Sequence, residues 1–453
     1  MSDNWVPEPP PPFVEACPPL GRVRPLHRDG SMRVGVTRWR WTVAVVVFLA
    51  SACGAPGSED SGDSEESGPW QGEVIRIPAE ALEALEPTSP DPVLTIDGND
   101  ESRGPPLSYI ADVARTAEGH VLILEGLDQV VHMFGPGGEF LRTIGGRGEG
   151  PGEFSRASSL AVSGDTLAVW EWDSRLHLFS LEGAHLRTDR IESGGPGPRW
   201  TGLTAFEGTA AGILATRSEV SPSAAGPVPD SELKPYRETI LLQRLRLEDA
   251  QLDSVLTFPG RYFAIVRQSG NAFEIFGPAS PFAISADGEV VRVPGGEFAI
   301  EWLDDAGVVA RTVVSDLPPR PVLDAEVDRL IDLSLSLLPP ELEEEFGELM
   351  QDSPVASHHP AIFQLLADAS GRVLAHRSDI GPVVEINAHI LTGQSSTDLT
   401  WDYLSRDGEL LGRFLIPPTD RPVLLRDGYL HAIRTSPLGV PSLVVYDLLG
   451  AGR

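Results

Sequence analysis

Asp112, Gln364 and Arg421 each stand seven residues ahead of a glycine (Gly119, Gly371 and Gly428) that sits in a β-hairpin signature. A common offset places all three on the same rung of related strands, so a carboxylate, an amide and a guanidinium should converge. Such a set can hydrogen-bond a polar ligand or, with further carboxylates, hold a cation. His358 and His359 come just before the strand that carries Gln364 and are expected to line one mouth of the same space. Two imidazoles do not make a zinc site, which takes three or four placed ligands. No metal is therefore assigned, and Ca²⁺ or another divalent cation is the cofactor to test. The plainer reading of all five residues is a set of polar side chains bridged by water.

Other candidate motifs lose their chemistry on inspection. Gly146-Arg147-Gly148-Glu149-Gly150 lacks the Lys-Ser/Thr pair and the following helix of a phosphate loop, because Phe154 leads into another strand. Nothing has the context of a Ser-His-Asp triad. His120, His132, His177, His376 and His431 fall on strands and read as packing or surface residues. Trp170, Trp172, Trp302 and Trp401 lie within or at the ends of strands, where packing is expected more often than sugar stacking.

The elements that must position these residues repeat. Ile96, Ile144 and Ile191 are spaced 48 and 47 residues apart in matching contexts, each ending a strand before a Gly/Pro-rich loop. A period in this range with several strands per unit indicates propeller blades. FGPGGEFLR (134–142), FSLEGAHLR (179–187), WLDDAGVVAR (302–311) and YLSRDGELLGR (403–413) share one hairpin form, with RLEDAQLDSVL (246–256) a weaker copy. A second hairpin precedes each: AEGHVLILE, SGDTLAVWE, ADGEVVRV, ASGRVLAHR and RDGYLHAIR. These give blades near 108–144, 157–192, 200–257, 281–314 and 360–416, and a three-stranded remainder at 421–449. The orphan strand Val93 to Ile96 completes the remainder and leaves no open edge. The fold class is all-β, a six-bladed propeller spanning 74–453, with seven the neighbouring count.

TIGGRGEGPGEF followed by SSLAVSGDTLAVWEWDSRLHLFSLEG resembles the NHL-type repeat, and more closely the six-bladed propeller lipoproteins of bacteria. The likeness is sharp over 108–192 and weaker, though periodic, over the rest of 93–449. It implies a fold and export without implying one activity. Related propellers that are lactonases, lyases or amidating enzymes gather Glu, Asp, Asn or His around a central cation. No such cluster maps onto this chain position by position.

Three stretches interrupt the period, at 217–238, 315–359 and 377–398. In the largest, Asp324 to Leu337 reads as a helix with Val327, Leu330, Ile331 and Leu335 apolar. Pro339-Pro340 resets the chain, and ELEEEFGELM forms a short acidic helix burying Leu342, Phe346 and Leu349. The pair is either a cap or docking surface, or a decoration whose apolar stripe packs on the side of the propeller.

Residues 32–52 have the three parts of a secretory signal: Arg33, Arg38 and Arg40, then Trp41 to Leu49, then Ala50-Ser51-Ala52. The ending resembles a lipobox, with Cys53 as the lipidated residue and Ala50 where leucine is commoner. Residues 1–31 are read as an upstream extension, with translation starting at Met32. Residues 53–73 are Gly/Ser/acidic and are expected to be a disordered tether reaching ~25 Å. Gly54, in place of Asp, resembles outer-membrane sorting. Neither Cys17 nor Cys53 then leaves a disulfide to support the fold.

The formal charge is −31, which repels phosphate backbones and argues against nucleic acid. Residues 1–52 hold six basic and four acidic residues, so their loss takes the charge to −33. Two functions are compatible with these features. One is a lipid-anchored envelope module that binds or scaffolds a protein, peptide or glycan. The other is a metal-assisted hydrolase or lyase acting at the channel. The missing catalytic constellation favours the first.

Overall fold

The computed structural model describes residues 70–100, 102–172, 175–191, 200–209, 212–219, 234–249, 251–266, 270–272, 274–278, 280–285, 287–336, 338–351, 353–378 and 398–451. The extension 1–31, the signal 32–52, Cys53 and most of the tether 53–73 lie outside these residues. So do 220–233 and 379–397, the middles of two of the insertions.

Among the described residues the protein is all-β apart from short helices, and its strands form six sheets of four or five strands plus one two-stranded ladder. Sheet I holds Ile110–Arg115, Val121–Glu125, Val130–Phe134 and Phe140–Ile144. Sheet II holds Ala157–Ser163, Thr166–Glu171, Arg175–Ser180 and His185–Arg190. Sheet III holds Trp200–Thr209, Gly212–Glu219, Lys234–Leu245, Leu252–Val266 and Gly270–Ala272. Sheet IV holds Phe282–Ile284, Val290–Arg292, Ala299–Leu303 and Val309–Ser315. Sheet V holds Ile362–Ala367, Val373–Arg377, Leu399–Leu404 and Leu410–Ile416. Sheet VI holds Asp420–Arg426, Tyr429–Thr435 and Pro441–Asp447.

The hairpins follow the turn chemistry of the sequence. Gly119, Gly371 and Gly428 have φ of 88°, 69° and 80°, a left-handed backbone that only glycine adopts at no steric cost. Alternation within each strand supplies apolar faces to both neighbouring sheets. Six buried clusters result, each shared by two sheets. Leu124 and Leu160 belong to that of I and II, Trp170 and Leu245 to II and III, and Phe258 and Ile284 to III and IV. Trp302 and Leu365 belong to that of IV and V, Tyr403 and Leu430 to V and VI, and Leu443 and Ile110 to VI and I.

Residues 73–97 run along the outer strands of the last three sheets. Glu73–Ile77 pairs in parallel with Arg311 to Ser315 of sheet IV. Helix α1 (Ala79–Glu83) follows, with Leu82 buried in the cluster of IV and V. Pro87–Thr88 pairs in parallel with Arg413 and Phe414 of sheet V. Pro92–Asp97 then pairs antiparallel with Pro441–Asp447, Ile96 opposite Leu443, and becomes the fourth strand of sheet VI. The orphan strand is thus paired where the sequence places it. The two parallel additions had no counterpart in the sequence reading.

Because successive strands are antiparallel, all first-to-second and third-to-fourth turns lie at one end of the sheets. The second-to-third turns and the links between sheets lie at the other. All three insertions leave from that second end: from Glu219 to Lys234, from Ser315 to Ile362, and from Arg377 to Leu399. The largest forms α2 (Asp324–Ser336) and α3 (Pro340–Gln351), Pro340 opening α3 as its fixed φ allows. Leu330 and Met350 bury Ile275 and Phe276, in the link between sheets III and IV, with Val327, Ile331 and Phe346 packed around them.

Candidate functional site

The first strands run side by side. Ile110–Arg115 lies between Ala157–Ser163 and Asp420–Arg426, and Asp420–Arg426 lies next to Ile362–Ala367. Asp112 pairs with Leu124, Gln364 with His376, and Arg421 with Ile433, which are equivalent rungs of sheets I, V and VI. Ser159 occupies that rung in sheet II, opposite Trp170. A β-bulge just before Asp112, Ser159 and Gln364 turns each side chain away from simple alternation. Sequence reasoning missed Ser159, because a short hydroxyl residue in SSLAV carries no signal of its own.

Asp112 is held by two backbone donors. Val113 N–H donates to one carboxylate oxygen and Leu160 N–H, on the first strand of sheet II, to the other, both at 2.8 Å. Burial outweighs these bonds and the nearby Arg421 charge, and pushes the carboxyl up to about 6. Arg421 is exposed, and desolvation by the surrounding strands lowers its pKa from the ordinary value against the charges of Tyr109 and Asp112. Neither the Arg421 guanidinium nor the Gln364 amide makes a hydrogen bond or ion pair among the described residues. Tyr109 is 55% exposed and packs against the Gly126 backbone, where a Cβ would meet Tyr109 Cδ1 at 2.5 Å. Deeper between the first strands of sheets IV, V and VI lies a cavity of about 100 Å³, bounded by Ile284, Leu366 and Leu424 among others.

The structure brings Asp112 and Arg421 into each other's field and places the two histidines in another setting. His359 is buried, with Nε2 2.9 Å from a Glu326 carboxylate oxygen and its ring edge-on to Phe276 at 4.8 Å. Glu326 also takes Arg320 at 2.6 Å and the Leu323 N–H at 3.1 Å, so it caps α2 and ties it to His359. His358 is exposed, its Nδ1 2.9 Å from Ser357 Oγ. His358 and His359 therefore belong to the root of the helical insertion. Among the described residues no group of three or more His, Cys, Asp or Glu is placed to hold a metal ion.

A second polar layer closes each second strand. Glu125, Glu171, Glu219, Arg292, Arg377 and Arg434 pair with the start of the first strand in sheets I to VI. Glu125 takes the N–H groups of Ser108, Tyr109 and Asp128 at 2.9, 2.7 and 2.6 Å. Glu171 takes those of Ser155 and Arg156 at 2.7 and 2.9 Å, and contacts His177 at 2.7 Å. Arg377 and Arg413 share Asp402, while Arg434 forks onto Asp420 at 2.7 and 2.8 Å. In sheets I and II the buried Glu125 and Glu171 thereby fix the backbone that leads into the first strand.

The remaining candidates divide between core and surface. His132 and His177 each sit 3.0 Å from a threonine of the next strand, and His376 stacks on Trp401 at 4.6 Å. His431 is buried, and burial lowers its pKa to about 3. Trp170, Trp302 and Trp401 are core residues, whereas Trp172 is 71% exposed. Gly146 and Arg147 pair in parallel with Glu153 and Phe154, and Glu153 itself accepts the Gly150 N–H at 2.9 Å.

No family model matches the chain, and no curated protein matches it. A Bacteroides fragilis protein described as exported is similar in structure, with 11% identity, TM-score 0.42, and 82% of this chain and 98% of that chain covered. A DUF4221-family member from Bacteroides vulgatus gives 9%, 0.42, 80% and 97% for the same quantities. The calcium-binding protein regucalcin from Agrobacterium tumefaciens gives 11%, 0.34, 83% and 97%. No helix among the described residues is long and apolar enough to cross a membrane.

Proposed function

We propose that this chain is an exported, lipid-anchored, six-bladed β-propeller of the NHL-like kind that serves as a binding or scaffolding module at the cell envelope. The six clusters shared by successive sheets, including the sixth with the first, support the closed ring, as does the pairing of Ile96 with Leu443. The lipobox-like ending at Cys53 supports the anchor.

The observation that carries the functional reading is that all three insertions leave the sheets from one end. A rigid scaffold that extends loops from a single end concentrates its recognition surface there. The partner is a protein, peptide or glycan. The alternative, a metal-assisted hydrolase or lyase, finds less support at the first strands, where the Arg421 cation opposes a second positive charge beside Asp112.

Deleting 320–350 tests the module. The truncated protein should keep its β-sheet circular dichroism and a cooperative melt, because the apolar side chains of α2 and α3 pack on Ile275 and Phe276 in the link between sheets III and IV, apart from the six clusters between sheets. It should lose the partner recovered with the full chain. Recovery of the same partner in the same yield would refute the reading.

A further inference from the structure

The outer edges of the sheets take added strands in parallel. Glu73–Ile77 lies along Arg311 to Ser315 of sheet IV, and Pro87–Thr88 along Arg413 and Phe414 of sheet V. Glu153–Phe154 lies along Gly146 and Arg147, just beyond the fourth strand of sheet I. The rest of that edge, Phe140–Ile144, has no strand beside it among the described residues. Backbone N–H and C=O groups on such an edge are a template for another chain.

The sheet I edge repeats the seat that sheet IV offers to Glu73–Ile77. Counted from the turn glycines Gly138 and Gly307, FLRTI (140–144) stands in register with VARTV (309–313). Arg311 donates to the Arg406 carbonyl, in a turn of sheet V, at 3.2 Å and pairs with Glu73 at 2.7 Å. Arg142 donates to the matching Leu181 carbonyl of sheet II at 3.3 Å, with no strand beside it to supply the carboxylate. Thr312 is buried and donates to the Gln71 carbonyl at 2.8 Å, whereas its counterpart Thr143 is exposed. A Cβ on Gly408 would meet Ile75 at 2.8 Å and Val313 at 3.4 Å; on the matching Gly183 it would meet only Ile144 at 3.5 Å and Arg142 at 4.0 Å. The place that Ile75 takes against Gly408 and Val313 is thus open against Gly183 and Ile144. An open groove of about 810 Å³ flanks the same edge, bounded by Arg103, Gly104, Pro105, Phe140 and Thr143 among others. Sheet II offers no such seat, because Asp189 stands where Ile144 does and pairs with Arg187.

We propose that Phe140–Ile144 is a docking edge for an extended segment of a partner protein, laid parallel to it and of the form Gly-acidic-x-apolar. Main-chain bonds to the edge hold such a segment, and side-chain pockets select it. Arg142 selects the acidic residue by charge, as Arg311 does Glu73. The apolar residue enters beside Gly183, as Ile75 does beside Gly408. Glycine is required where the segment crosses the strand closely: Gly72 has φ of 73°, and a Cβ there would lie 2.6 Å from the Ala310 backbone. Thr143 is placed to meet the carbonyl ahead of that glycine, and the groove receives the residues before it. The segment leaves the edge after its apolar residue, because Glu153 and Phe154 hold the places opposite Gly146 and Arg147. This surface is an outer edge, so it lies apart from the insertion end and adds a second site to it.

The probe is the peptide WQGEVI, the sequence of residues 70–75, with a fluorescein label. Fluorescence anisotropy with the full chain should show saturable binding, and hydrogen-exchange mass spectrometry should show slowed exchange over 140–144. Arg142→Glu should weaken the peptide at least about tenfold, the loss of one charge-assisted contact. A Glu73→Lys peptide should regain that loss on the Arg142→Glu chain, and an Ile75→Asp peptide should bind neither chain. Trp172→Ala should leave binding unchanged. Absence of saturable binding, equal binding by the parent and Arg142→Glu, or protection that appears over 309–315 instead would each overturn the edge. Self-association of the chain that the peptide reverses would give the edge to a second copy and overturn the partner.

Discussion

Asp112 is a carboxylate whose environment works against its charge. Its folded value of about 6 lies above the ordinary 3.8, so folding favours the protonated form. Its contribution to stability is therefore complete below about pH 4 and is lost as pH rises through 6. A ¹³C NMR titration of the carboxyl should show a midpoint near 6, and a midpoint in the usual aspartate range would contradict the burial described here. Glu171 is the opposite case, a fully buried carboxylate with every oxygen engaged. Glu171→Ala should cost about 3–5 kcal/mol in urea denaturation, because it strands the donors of Ser155, Arg156 and His177. The offset of Asp112, Gln364 and Arg421 was readable because hairpin glycines count rungs. Tyr109 and Ser159 were not, since a bulge leaves no mark on composition. His358 and His359 show the limit of adjacency: their place in the chain is clear, but Glu326, more than thirty residues away in sequence, decides where His359 turns.

The elements were legible in proportion to how local their signals are. Every hairpin with a Gly-containing turn, and both helices of the insertion, lie where turn residues and apolar spacing put them. The parallel strands Glu73–Ile77 and Pro87–Thr88 escaped, because a strand paired with distant sequence has no turn of its own to announce it. Their seat is tight. Gly408 has φ of 74°, and a Cβ there would come within 2.8 Å of Ile75 Cγ2. Gly408→Ala should destabilise the protein by about 1–3 kcal/mol. Hydrogen exchange at Ile75 and Arg76 should rise more than at Leu443. Uniform acceleration of both would mean that the added strand is no separate unit.

At the scale of the whole molecule, period and turn counting led to six sheets because each sheet has the same four-strand grammar. Pairing between the two ends of the chain rested on one unpartnered strand, and Ile96 now carries it. The side chain is buried among Leu107, Ile110, Phe134, Ile433 and Leu443, so it touches both the first and the last sheet. Ile96→Ala should cost about 2–5 kcal/mol in chemical denaturation. It should lower the whole transition, not split off a local one; an early, separate unfolding step confined to sheet VI would show that the ends do not act as a unit.

The stretch 73–97, laid along sheets IV, V and VI, also dictates an order of events. Ser442 bonds Asp97 across 345 positions, so a strand made early has its partner among the last to be made. During elongation these residues must wait, unpaired, until the trailing sheets exist to receive them. Contacts so far apart in sequence slow folding, since the intervening chain must first be gathered in. Final docking of this strap is thus the natural late step of maturation, and any chain interrupted before Pro441 is left with an apolar strand and nothing to lay it against.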